Sequence, residues 1–267
     1  MNILLSFAND KAGKFLRHVA EEHAALLEVF AEKGIQPVSL PSVTAEGLVK
    51  AFQAQRDAVC LLHYSGHADG YQLIFRSGLQ SSALADAASL ADFLSRQKGL
   101  KLVFLNGCST REQAQGLLNA GVQMVIATDT AIEDQAARDF AAHFYRSLLG
   151  GAGVSDAFHE ASSATLMSRK ADVRQLYRDL LDVGGRTPTQ MPWQLFQQGE
   201  ADWRLPLDEL APADQEQLRK NIIELRNSSN NQIIQDEGPE EGPAKQNKIM
   251  AKDSNGNIIF QDVRKKK

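Results

Sequence analysis

The chain carries only two cysteines in 267 residues, no long apolar run and no excess of basic charge. Each shortage excludes a class. Two cysteines cannot build the disulfide framework of a small secreted protein, so free thiols in a reducing, cytoplasmic setting are expected. No stretch approaches the ~18 apolar residues of a membrane span. A formal net charge of −4 offers a nucleic-acid backbone no basic surface. Neither a GxxxxGK[ST] nor a GxGxxG phosphate loop occurs. The six histidines do not combine with the cysteines at zinc-site spacing, so no metal or other cofactor is expected. The opening residues Met1–Phe7 lack the basic region and small-residue cleavage site of a signal peptide, and read instead as a core strand.

What is present is an alternation of strand and helix patterns over about the first 205 residues. Strands are predicted over 2–7, 35–40, 58–64, 101–105 and 122–127, with a late one over 192–196. Pro192 argues for an edge position for the last of these. Helices are predicted over 15–32, 44–53, 86–96, 111–119, 133–149 and 154–167, with Thr44 in the first turn of the second and Asp134 capping the fifth. Residues 70–75 read as a small extended excursion. The order implies an α/β fold with a mostly parallel sheet covered by helices on both faces. The nearly unbroken apolar runs near 59–63, 102–105 and 122–127 suit strands covered on both sides.

Two units are expected, residues 1–207 as the main domain and 208–267 as a polar carboxyl-terminal extension. The extension begins with a helix over 208–226 and continues into polar, turn-rich sequence. Within it, 231–236 (NQIIQD) echoes 257–262 (NIIFQD), and Asn255-Gly256 is a hairpin signal. The extension reads either as short extended segments that pair with each other or a partner, or as a solubilising tail ending in three lysines.

Two predicted strands stop on reactive side chains. One runs into Tyr64-Ser65-Gly66-His67-Ala68, the other into Leu105-Asn106-Gly107-Cys108-Ser109-Thr110. In parallel α/β sheets, chemistry gathers at the carboxyl ends of the strands, so His67 and Cys108 are candidates to meet. A thiol beside an imidazole is the minimum machinery of a cysteine nucleophile. A helix starting near Thr110 or Arg111 would favour the thiolate. The backbone N–H groups of Ala68 and Cys108 are candidate oxyanion donors. The plain alternative for each residue is packing or a local hydrogen bond. Cys60 lies inside an apolar run and reads as core. His63 shares a strand face with His67 and reads as packing or as support for it. His18, His23, His143 and His159 lie on helices as packing or surface groups. Asp134 reads as a helix cap or as a substrate-binding carboxylate, with Asp129 and Glu133 as weaker versions of the latter.

The same residues resemble a known family. Tyr64–Ala68 resembles the histidine motif, and Leu105–Thr110 the cysteine motif, of the CHAT peptidases, a bacterial branch of the caspase-like cysteine proteases in the clan of caspases, separases and gingipains. Residues 3–9 with the acidic helix after them, 125–134 with 141–149, and Pro192-Trp193 also resemble family elements, so the likeness spans about residues 1–205. It implies a caspase-like three-layer sandwich and a cysteine endopeptidase in which Cys108 attacks the peptide carbonyl with assistance from His67. It implies a protein or peptide substrate, no cofactor, and a regulated role in bacterial defence, with the extension as a docking element for a regulatory protein. Two departures stand out: Ala68 where the family commonly has glycine, and Gly107 where it often has alanine. The caspase pentapeptide around the cysteine is absent, so aspartate specificity does not carry over. The competing readings are a catalytically inactive interaction module of the same fold, to which Ala68 leans, and a TIR-like signalling domain, suggested by the opening Leu4–Lys11.

Overall fold

The computed structural model describes residues 1–8, 18–66, 68, 72–75, 83–169, 173–177, 191–199, 202–236, 248–252 and 258–262. Among the described residues six strands form the main sheet: β1 (Asn2–Ala8), β2 (Val38–Leu40), β3 (Val59–Gly66), the strand Leu102–Asn106, the strand Met124–Thr128 and the strand Trp193–Gln197. A small antiparallel pair intervenes in sequence, β4 (Gln72–Phe75) with β5 (Ala83–Asp86), so the last three strands of the main sheet are β6, β7 and β8. The spatial order is β2-β1-β3-β6-β7-β8. All neighbours are parallel except β7 and β8. Thus β8 closes one edge antiparallel, where Pro192 at its entrance interrupts no interior ladder.

Helices cover both faces, as the unbroken apolar strands require. Alternate strand residues sort into two cores. Leu5, Phe7, Leu61, Phe104 and Ile126 pack with α1 (His18–Glu32), α5 (Asp134–Leu148), α6 (Val154–Ser168) and α7 (Gln215–Asp236). Leu4, Leu62, Val103, Leu105 and Val125 pack with α2 (Ala45–Gln55), α3 (Ala87–Ser95) and α4 (Arg111–Asn119). The result is a three-layer α/β sandwich with a mostly parallel sheet. Among the described residues, no helix is long and apolar enough to cross a membrane.

Several boundaries differ from expectation for identifiable reasons. The strand expected over 35–40 shortens to β2, because Pro37 has no N–H to give the ladder; Ile35 instead bridges Pro212. Thr44 caps α2, accepting from Gly47 N at 2.9 Å. The cap of α5 is Glu133, not Asp134: Glu133 has extended backbone, and its carboxylate accepts from Gln135 N at 3.0 Å and Ala136 N at 2.8 Å. The helix expected over 208–226 starts later, at Gln215, and runs through the polar 227–231 to Asp236. Its first turns belong to the main core, with Leu218 fully buried and Ile222 nearly so. The segment before it is stitched to the α1–β2 turn by Gln36 N to Ala211 O at 2.9 Å and Ala213 N to Gly34 O at 2.8 Å. Of the echoed segments, 231–236 is helical within α7. Its counterpart forms β10 (Ile258–Asp262), which pairs antiparallel with β9 (Lys248–Lys252).

Candidate active site

The carboxyl ends of β3 and β6 lie side by side in register, with Ser65 paired to Asn106. The residues that follow converge closely. A methyl group on Gly107 would sit 2.9 Å from the Gly66 carbonyl oxygen and 3.0 Å from the Ala68 Cβ. Gly66 is itself hemmed in, since a Cβ there would run into the Ala8 carbonyl oxygen on β1. Glycine at both positions is therefore a packing requirement. Ala68 and Gly107 are thus neighbours in space, with the Ala68 methyl standing against the position a Gly107 side chain would take.

Cys108 follows this junction directly, partly exposed. It lines a cavity with Val19, Glu22, Ser65, Gly66, Asn106 and Asp134, closed by Gly107, Ile132 and Ala137. The turn carrying it is tightly held. Ser109 has a left-handed backbone at φ 53, a conformation that costs a non-glycine residue about 1 kcal/mol or more and clusters at functional sites. Its N–H donates to Thr130 O at 3.2 Å. Thr128 on β7 donates its hydroxyl to Gly107 O, and its N–H donates to the Thr110 hydroxyl at 3.0 Å. Helix α4 starts three residues after Cys108, directing the positive end of its dipole toward this turn.

Beneath the cavity lies a buried polar cluster. Glu22, from α1, accepts from the Ser65 hydroxyl at 2.6 Å and from Asn106 Nδ2 at 2.8 Å, and meets His63 Nε2 at 3.1 Å. Trp193 Nε1 donates to Asn106 Oδ1 at 3.0 Å, its ring stacked on Phe140. His23 lies one residue on from Glu22, stacked on Phe7 with ring centroids 4.2 Å apart. Burial, and then the neighbouring His63, push its pKa down to about 3.

The structure thus brings Cys108, Ala68 and Asp134 to one end of the sheet. His67 lies outside the described residues; it directly follows Gly66 in the chain. Asp129 is not among the residues lining the cavity. It pairs with Arg111 at 3.3 Å and accepts from Gln194, and partial burial raises its carboxyl pKa against the opposing pull of Arg111. Cys60 is fully buried, its thiol pushed up to about 11 by burial. Glu22, Asn106 and the left-handed Ser109 were not singled out as site residues from the sequence. Glu22 had a signal: it falls within the apolar stripe of α1 marked by Val19, Leu26, Leu27 and Phe30, where a carboxylate needs a buried partner. Among the described residues no cluster of side chains is arranged to hold a metal ion.

No curated protein sequence matches the chain significantly. Among solved structures it is similar to the Arg-specific cysteine proteinase gingipain R of Porphyromonas gingivalis, at 14% identity and a TM-score of 0.45, covering 63% of this chain and 42% of that one. It is also similar to a secreted C11 cysteine protease from Bacteroides thetaiotaomicron, at 11% identity and a TM-score of 0.44, covering 61% of this chain and 58% of that one. The chain therefore spans less than two thirds of the length of either protein. A family-level sequence match extends much further along this chain, from residue 6, near the end of β1, through β2, β3, β6, β7 and β8 to residue 223 in α7; the chain belongs to the CHAT domain family.

Proposed function

We propose that this chain is a caspase-like cysteine endopeptidase acting through Cys108 and His67. The observation that carries the proposal is the position of Cys108: on the wall of a cavity, at the carboxyl ends of two adjacent parallel strands, where Gly107 abuts the Gly66 carbonyl that precedes His67. In this reading the Cys108 sulfur attacks the scissile carbonyl carbon, and the backbone N–H groups of Cys108 and Ala68 receive the developing oxyanion. The C–N bond then breaks, and His67 delivers to the leaving amine the proton it took from the thiol. Water adds to the thioester, releasing the acid and restoring the thiol. Asp134 is the substrate-facing carboxylate of the cavity. The family membership and the similar proteases are consistent with a protein substrate. The resemblance extends the reading to a regulated cytoplasmic effector of bacterial defence, with the extension docking a regulatory protein.

The test is a diverse peptide library incubated with wild type, Cys108→Ala and His67→Ala, with cleavage sites read out. Wild type is expected to cleave; each variant is expected to lose at least ~1,000-fold in rate, the scale seen when a nucleophile or its base is removed, at unchanged unfolding midpoint. No cleavage by wild type, with Cys108 alkylated no faster than a free thiol, would return the protein to the inactive interaction-module reading.

A further inference from the structure

We propose that Glu22 is a positioning residue for this site: from α1, its buried carboxylate fastens the ends of β3 and β6 together, so that the residues following them, His67 and Cys108, are presented as a pair. The proposal rests on the catalytic reading above.

The carboxylate bridges the last paired residues of the two strands. Ser65 and Asn106 stand opposite each other in the ladder, and each gives one hydrogen bond to Glu22, the hydroxyl to Oε2 at 2.6 Å and the amide to Oε1 at 2.8 Å. Each lies two positions before a proposed catalytic residue in the chain. His63 Nε2 completes the set, 3.1 Å from Oε1. Asn106 is held from two more directions, donating to Ala137 O on α5 at 3.1 Å and accepting from Trp193 Nε1 on β8 at 3.0 Å. One cluster thereby locks α1, β3, β6, α5 and β8 to each other directly under the cavity.

Packing alone does not account for a carboxylate here. Glu22 is 3% exposed, and its neighbours in the stripe of α1, Val19 and Leu26, do the same packing without charge. Burying a carboxylate is costly unless its oxygens are hydrogen-bonded. What the two oxygens supply in return is direction, through three hydrogen bonds to side chains of β3 and β6. Such precision has a kinetic consequence, because a displacement of about 1 Å between reacting groups can cost about 100-fold in rate.

The test compares two variants of the full chain. In Glu22→Gln the amide oxygen can still accept from Asn106 and His63 while its N–H donates to the Ser65 oxygen, so the fastening survives without the charge. Glu22→Leu keeps the bulk and makes none of these bonds. Kinetics are run on a peptide that wild type cleaves, with active sites counted by irreversible alkylation of Cys108, alongside the pH profile of that alkylation. Glu22→Leu is expected to lose at least ~30-fold in kcat per counted site with KM within about 3-fold, the pattern of a misaligned transition state. Its alkylation profile should move toward that of His67→Ala. Glu22→Gln is expected within about 5-fold of wild type. A role confined to folding would lower the number of counted sites but leave turnover per site and the pH profile unmoved; that result overturns the proposal. Equal loss in both variants overturns it in favour of a charge effect. If Glu22→Leu does not fold, Ser65→Ala decides: a several-fold loss in kcat at constant KM supports the fastening, and wild-type turnover overturns it. Full turnover by Cys108→Ala would overturn the catalytic reading itself, whereas an inactive Cys108→Ala beside a wild-type-like Glu22→Leu removes only the positioning role.

Discussion

At the level of single residues, the two cysteines separate by environment. Cys60 is sealed in the sheet, its Sγ against the Asn2 carbonyl oxygen, and its thiol is held protonated by burial. Cys108 lies at a cavity wall. Ala68 and Gly107 likewise make sense only together. Their contact predicts coupling: Gly107→Ala alone should destabilise by about 1–3 kcal/mol through overpacking, while adding Ala68→Gly should recover part of that loss. A double-mutant cycle of unfolding free energies checks it, and strict additivity would show that the two positions do not share space. His23 makes a prediction about pH. Buried neutral, with its pKa near 3 in the fold against 6.5 for the free side chain, it stays unprotonated while the unfolded chain takes up a proton. Stability should therefore fall as pH drops below about 6.5, by on the order of 2 kcal/mol by pH 5, with the loss from this group levelling off near its folded pKa. Urea unfolding at pH 7 and pH 5 should show this dependence in wild type and a flatter one in His23→Gln.

Among the elements, α1 does more than cover the sheet. Its apolar stripe reads plainly from Val19, Leu26, Leu27 and Phe30, and the structure puts Glu22 and His23 on the same buried side. Strands β3 and β6 read as core from their apolar runs, and both end on polar residues, Ser65 and Asn106, that are still buried. Periodicity identifies such residues as inward-facing. It does not say that a carboxylate from another element meets both, because that contact joins positions more than forty residues apart. The cap of α5 shows the same limit at short range. Both Glu133 and Asp134 could have capped, and the extended backbone at Glu133 decided it.

On the scale of the whole molecule, the expected division after residue 207 crosses a segment that is tied to the main core. Beyond it, Glu209 O accepts from the Met1 amino group at 2.6 Å, and α7 inserts Leu218 and Ile222 against α1. The family match likewise continues to residue 223. Truncation should follow this packing. A chain ending at residue 236 should unfold at the same urea concentration as the full chain. One ending at 207 should lose roughly 4 kcal/mol or more, from two buried aliphatic side chains at about 2 kcal/mol each. Loss of peptide cleavage or partner binding in the 1–236 chain, at unchanged stability, would assign regulation to residues 237–267; unchanged regulation would remove the docking role proposed for them.

The sequence by itself determined the alternating architecture, the double covering of the sheet and the strand ends bearing Ser65-Gly66-His67 and Gly107-Cys108, because these follow from local periodicity and from where apolar runs stop. Tertiary structure alone decided what those ends touch. It set one methyl at the junction of Ala68 and Gly107, brought the Glu22 carboxylate to Ser65 and Asn106, and made nearly the same six residues helical at 231–236 and, from Ile258 onward, strand at 257–262. The physical reason is the same in each case: periodicity selects which face of an element is buried, but the partner on that face is supplied by a distant part of the chain.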